Sequence, residues 1–196
     1  MIKTCPLVVT ASLLTSLLAT IGMGQPTDGP ETVAVHNGPV TLHALLWHPH
    51  GRCPFPAILL NHGSGRTREE LERLGPYEGQ AETLGPVFAR HGYVFLFLFR
   101  QGVGLSAGQG TSAVDLMNSE FAAHGQDSRN ALQLRLLENR ELSAATAGLA
   151  FLRGLPDVDP RKLAIVAHSF GGSLTILQAE KEPKLWGIGD LFRRRL

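Results

Sequence analysis

The sequence predicts an α/β protein, with a mostly parallel sheet, helices on both faces and an antiparallel hairpin at the start. Three observations carry this. Short apolar runs without polar alternation occur at residues 56–60, 93–99 and 163–167, as in strands buried on both faces. Segments of helical spacing separate them, and strand–helix–strand alternation calls for parallel strands joined by right-handed crossovers. Glycine turns follow the runs at 63–65, 102–104 and 171–172, so the turns should gather along one edge of the sheet.

Taken in order, the runs 32–35 and 40–47, separated by Asn37-Gly38, read as an antiparallel hairpin. Residues 56–60 form a buried strand that empties into Asn61-His62-Gly63-Ser64-Gly65. A helix over about 81–91 follows, and Gly92 closes it before the strand 93–99. Residues 102–126, rich in Gly, Ser and Ala, read as an irregular insertion. From 128 to 154 the apolar positions Leu132, Leu136, Leu137, Leu142, Ala145, Leu149 and Leu152 keep helical spacing, with Gly154 and Pro156 ending the helix. The strand 163–168 then turns at Ser169 into a helix over about 174–180.

The chain has 196 residues, 43% hydrophobic and 18% charged, which suits one globular domain. Eighteen Lys and Arg against seventeen Asp and Glu give a net charge of +1. These charges are dispersed, so neither a basic face for nucleic acid nor an acidic tail is expected. At the N-terminus, Lys3 precedes an uncharged run over 6–21 and then Gly22-Met23-Gly24-Gln25, the pattern of a signal peptide cleaved after Gly24. The run falls short of the roughly 20 residues a spanning helix needs, so export without stable membrane association is expected, a membrane anchor being the alternative. Cys5 precedes the apolar run, which excludes a lipoprotein signal. Cleavage would leave Cys53 as a lone thiol, expected to be a small buried apolar residue with no internal disulfide.

The chemistry is carried by two turns. Ala167-His168-Ser169-Phe170-Gly171-Gly172 resembles the G-x-S-x-G nucleophile elbow with Ala in place of the first Gly. It has a strand before it and a helix after it, as an elbow requires. Ser169 is the candidate nucleophile, and the N–H of Phe170, at the helix N-terminus, is a candidate oxyanion donor. The alternative is a plain helix start with Ser169 as N-cap. His62-Gly63-Ser64-Gly65 resembles the HG-containing loop that lends a backbone N–H to an oxyanion hole, and the Ser64 N–H is the candidate donor there. The alternative is an ordinary glycine turn.

These motifs resemble the α/β-hydrolase superfamily, and more narrowly its dienelactone-hydrolase-like and prolyl-peptidase-like members. Residues 54–65 resemble their third strand and its loop, and Arg100-Gln101-Gly102-Val103-Gly104-Leu105-Ser106 resembles the turn after their fourth. The resemblance covers about 31–183. It implies an esterase, lactonase or peptidase working through a Ser acyl-enzyme on a small-molecule ester, lactone or peptide, with no cofactor. Dienelactone hydrolases proper carry a cysteine nucleophile where this chain has Ser169. The implied domain plan is a signal peptide (1–24), a linker (25–30), the N-terminal part of an α/β-hydrolase domain lacking its last strands (31–184) and an atypical tail (185–196).

The resemblance also implies an Asp or Glu and then a His after the nucleophile. After Ser169 the sequence holds no histidine and a single aspartate, Asp190. His62 belongs to the loop, and strand alternation turns His168 away from Ser169, so neither is a suitable general base. Catalysis is therefore expected to be impaired, and the alternative function is a non-catalytic ligand-binding module of the same fold. The tail lacks strand alternation and ends in Arg193-Arg194-Arg195. It is not expected to form a sixth strand, and a truncated chain with a shifted reading frame near Lys184 would explain it. The strand 163–167 would then be a bare, association-prone edge.

Two weaker patterns are set aside. Gly102-Val103-Gly104-Leu105-Ser106-Ala107 fits G-x-G-x-x-A, but Gly108 and Gly110 stand where a dinucleotide-binding helix should open. His48-Pro49-His50 with Cys53 matches no standard zinc spacing and reads as a solvated turn, so no metal site is expected.

Overall fold

The computed structural model describes residues 29–190. The proposed signal peptide and most of the proposed linker therefore lie outside the described residues. Strands β1 (Glu31–Asn37), β2 (Val40–Trp47), β3 (Phe55–Asn61), β4 (Val94–Phe99), β5 (Val158–Ala167) and β6 (Gly187–Asp190) form one sheet in the order β1-β2-β4-β3-β5-β6. β1 and β2 pair antiparallel, as do β2 and β4, whereas β4, β3, β5 and β6 run parallel. This is a partial α/β-hydrolase fold, a mixed and mostly parallel sheet behind an N-terminal hairpin.

The helices are α1 (Arg68–Leu74), α2 (Tyr77–Arg90), α3 (Ala113–Leu136), α4 (Leu142–Gly154) and α5 (Phe170–Lys181). A capping box opens α1, Thr67 accepting from the Glu70 N–H and Glu70 accepting from the Thr67 N–H. Burial follows the two-residue period of the strands. Ala57, Leu59, Leu96, Leu98, Leu163 and Ile165 join a cluster with Leu149 and Leu152 of α4. Ile58, Leu60, Phe95, Phe97 and Phe99 face the other way, with Tyr77 and Ala81 of α2. β4 is therefore apolar throughout because it is covered on both sides. Each fully buried Leu or Phe contributes about 1.5–3 kcal/mol before the entropy cost of ordering it.

The structure corrects four expectations. Residues 102–126 are largely ordered: a 3₁₀ turn spans Gly104–Gln109, and α3 begins at Ala113 with Ser112 as its side-chain cap. Glycines and alanines masked the period there, and Gly125 (φ 81°, ψ −173°) is non-helical, a kink at which two helical stretches of α3 meet. The expected helix 128–154 is the end of α3, a π turn (Leu137–Glu141) and α4 in succession. Residues 187–190 do form a sixth strand, so β5 is not a bare edge; Ala164–Ala167 pair with Gly187–Asp190, and the Trp186 N–H donates to the Leu163 carbonyl at 2.8 Å. Main-chain bonds hold β6, and its two glycines leave no side-chain alternation to read. Cys53, finally, expected to be buried, is half-buried and outside the core clusters.

No helix among the described residues is long and apolar enough to cross a membrane.

Candidate functional site

β5 ends at Ala167 and α5 begins at Phe170, leaving His168 and Ser169 to make the turn. Ser169 has φ 55° and ψ −123°, and among the described residues it is the one non-glycine with positive φ. Such a conformation costs about 1–3 kcal/mol and persists where the surroundings over-determine it. Here they do: the Gly171 N–H donates to the His168 carbonyl at 3.0 Å and the Gly172 N–H to the Ser169 carbonyl at 2.7 Å. A Cβ on Gly171 would collide with the Asn61 carbonyl and come within 2.7 Å of the His62 oxygen, so α5 starts where only glycine fits. Ser169 is exposed at this point. The first N–H groups of α5, Phe170 included, have no intrahelical acceptor, and the helix dipole favours negative charge beside them.

The second turn, 62–65, leaves β3 next to the first. The His168 N–H donates to the Asn61 carbonyl at 3.1 Å, and the Cβ position on Gly63 lies 3.9 Å from the Ser169 Cβ. The structure thus brings Ser169, Phe170 and the loop that holds Ser64 to the same edge of the sheet. The His168 Nδ1 lies 3.7 Å from that same Cβ position, and β5 ends one residue before it.

His62 is fully buried, its ring stacked on Phe97 at 5.9 Å and tilted against Tyr77 at 5.0 Å. The Arg100 N–H donates to Nε2 at 3.2 Å, so Nε2 is unprotonated. Nδ1 therefore carries the proton and donates to the Gly63 carbonyl at 2.7 Å. Burial holds this imidazole well below its usual range, and the Arg100 charge adds to the effect. Both nitrogens are committed, so His62 shapes the loop and does not take protons from Ser169.

Three residues to which motif reading gave no role, Arg100, Asn61 and Gln178, fix these turns. Arg100, 2% exposed, donates from Nη2 to the carbonyls of His62 (2.9 Å) and Gly63 (2.5 Å), and from Nε to Glu141 (2.6 Å). Asn61 donates from Nδ2 to Thr175 (2.9 Å) and Gln178 (3.0 Å) of α5, and Gln178 donates in turn to the Ala145 carbonyl (2.9 Å). The sequence signal available for each was a polar side chain closing an apolar run or lying on an apolar helix face.

Beside the loop lies a cavity of about 640 Å³, lined by Arg66, Tyr77, Glu78, Val103, Ser112 and Asp115 among others. The Arg66 guanidinium sits 4.8 Å from the centre of the Tyr77 ring. Burial pushes the Tyr77 phenol up, against the opposing charges of Arg100 and Arg66. A larger hollow of about 860 Å³ lies between the β1–β2 turn and α4. Ser169 does not line it, so it is set apart from the turns described above.

No protein-family model and no curated protein matches the chain. Solved structures do match, and they show the fold. A dienelactone hydrolase-like promiscuous phosphotriesterase from metagenomic libraries is 21% identical with a TM-score of 0.51, over 83% of this chain and 58% of that one. A dienelactone hydrolase from Anabaena variabilis is 21% identical with a TM-score of 0.53, over 83% and 63%. An alpha/beta hydrolase from Penicillium is 15% identical with a TM-score of 0.54, over 83% and 46%. The chain thus spans less than two thirds of the length of each of these hydrolases.

Proposed function

We propose that the chain is the nucleophile-bearing part of a serine hydrolase acting on small ester, lactone or peptide bonds. One observation carries this reading: the strained backbone of the exposed Ser169 at a strand-to-helix turn, set against the loop of Gly63 and Ser64. In the proposed step the Ser169 Oγ attacks the substrate carbonyl carbon and gives up its proton. The carbonyl oxygen becomes an oxyanion received by the N–H groups of Ser64 and Phe170. Collapse expels the alcohol or amine, which takes a proton, and leaves an acyl-serine for water to hydrolyse.

Both nitrogens of His62 are committed, so His62 does not take the Oγ proton. A serine hydrolase deprived of its base loses on the order of a millionfold in turnover, so the reading is tested on the nucleophile itself. The direct test is labelling with a fluorophosphonate probe, followed by mass spectrometry of the modified peptide. Labelling at Ser169, abolished in Ser169→Ala, supports the reading; labelling elsewhere, or a purified chain that turns over aryl esters without Ser169, overturns it.

A second reading, a ligand-binding module of the same fold, is favoured by the locked His62, and tight ligand binding without labelling would select it. We further propose export through the N-terminal signal, tested by sequencing the N-terminus of the exported protein for a start at Gln25.

A further inference from the structure

We propose that Arg100 is a positioning residue for the Ser64 oxyanion donor, acting through the Gly63–Ser64 peptide; the inference rests on the acyl-transfer reading above. The Gly63 carbonyl oxygen accepts from His62 Nδ1 at 2.7 Å and from Arg100 Nη2 at 2.5 Å. Both donors are buried, so both lone pairs of the oxygen are engaged from the interior. The peptide is trans, the cis bond among the described residues being Cys53–Pro54. A trans peptide sends its N–H opposite its C=O. Pinning the Gly63 oxygen inward therefore turns the Ser64 N–H toward the solvent side of the loop, where Ser169 is exposed.

The loop needs such a clamp. A peptide flanked by glycine rotates at little cost, and glycines stand on both sides of Ser64. Arg100 holds two consecutive carbonyls, those of His62 and Gly63, and its own N–H fixes the His62 ring. The guanidinium is held in turn by Glu141, which the π turn brings inward and which also accepts from Arg140 at 2.8 Å. π turns inside helices often mark such functional supports. A lysine could supply the charge but not the planar fork.

The experiment uses the whole chain and the double variant Arg100→Met/Glu141→Leu, which avoids leaving a buried carboxylate unpaired. Two quantities are measured: the ¹⁵N relaxation order parameter of the Ser64 amide, and the rate of fluorophosphonate labelling at Ser169. The Ser64 amide is expected to fall from about 0.85 to below about 0.6 while β4 and β5 stay rigid. Labelling is expected to slow by about 100-fold or more, the effect of losing one oxyanion donor. A Ser64 amide that keeps its order in the variant overturns the proposal, whatever the labelling rate. A parent chain that resists the probe while the variant loses Ser64 order overturns the nucleophile reading and leaves the clamp supported. Should the double variant not fold, Arg100→Lys is read by the same amide, with retained order again the overturning result.

Discussion

A Cβ on Gly171 would stand 2.6 Å from the carbonyl carbon of Asn61, so the first turn of α5 and the end of β3 meet backbone to backbone. Ala at this position has nowhere to go, because its neighbour is main chain and cannot rotate aside. Gly171→Ala should cost at least about 1–3 kcal/mol, the usual penalty of overpacking. Urea unfolding followed by circular dichroism reads this, and an unchanged midpoint would contradict the packing.

Ser169 holds a backbone conformation that glycine adopts freely. Relief of about 1–3 kcal/mol of strain, less about 0.5–1 kcal/mol for the greater freedom of glycine when unfolded, leaves a net gain. Ser169→Gly should therefore raise stability by about 1 kcal/mol, whereas Ser169→Ala should leave it nearly unchanged. Equal stability of the two variants in thermal unfolding would argue against strain at the turn.

His48 and Asp157 form an ion pair at 2.8 Å that ties the end of β2 to the start of β5. The hydrogen bond to Asp157 raises the His48 imidazole, with desolvation opposing, and the same bond lowers the Asp157 carboxyl. The raised group stabilises the fold fully below 6.5, its ordinary value, and that contribution is lost as pH rises through the higher folded value. The lowered group stabilises above 3.8, and that contribution is lost as pH falls through the lower folded value. Asp157→Asn should thus be most destabilising at about pH 5 and progressively less so above neutrality. Urea midpoints of parent and variant across that range check this, and a pH-independent difference would exclude the pair as its source.

Among the described residues β6 is an outer strand of the sheet, and Trp186 and Ile188 are exposed beside and within it, 56% and 58% respectively. An apolar strand edge invites pairing with another chain, and a lysine there discourages it. The chain as given should associate with rising concentration on a sizing column, and Ile188→Lys should shift it toward monomer. A monomer at all concentrations in both forms would contradict this.

Much of the sheet was legible because its strands follow simple rules. The apolar runs of β3 and β4 are buried on both faces, and the strand–turn–helix around Ser169 carried its own signature. What escaped did so for physical reasons. Gly187 and Gly189 gave β6 no alternation, and it joins β5 through main-chain pairing. The start of α3 was hidden by small residues and by Gly125, whose φ of 81° sets a kink between two helical stretches. The partners of Arg100 were not readable, because Glu141 lies forty-one residues on and faces inward through a π turn that no sequence period announces.

Asn61 occupies an unusual mechanical position. Its carbonyl receives the His168 N–H and its side chain grips α5 at Thr175 and Gln178, so the two turns share one anchor. Neither can breathe alone. Amides of the two segments should exchange with solvent as one cooperative unit with a common opening free energy, and whatever heat or denaturant does to one half of the mouth it does to the other at the same moment.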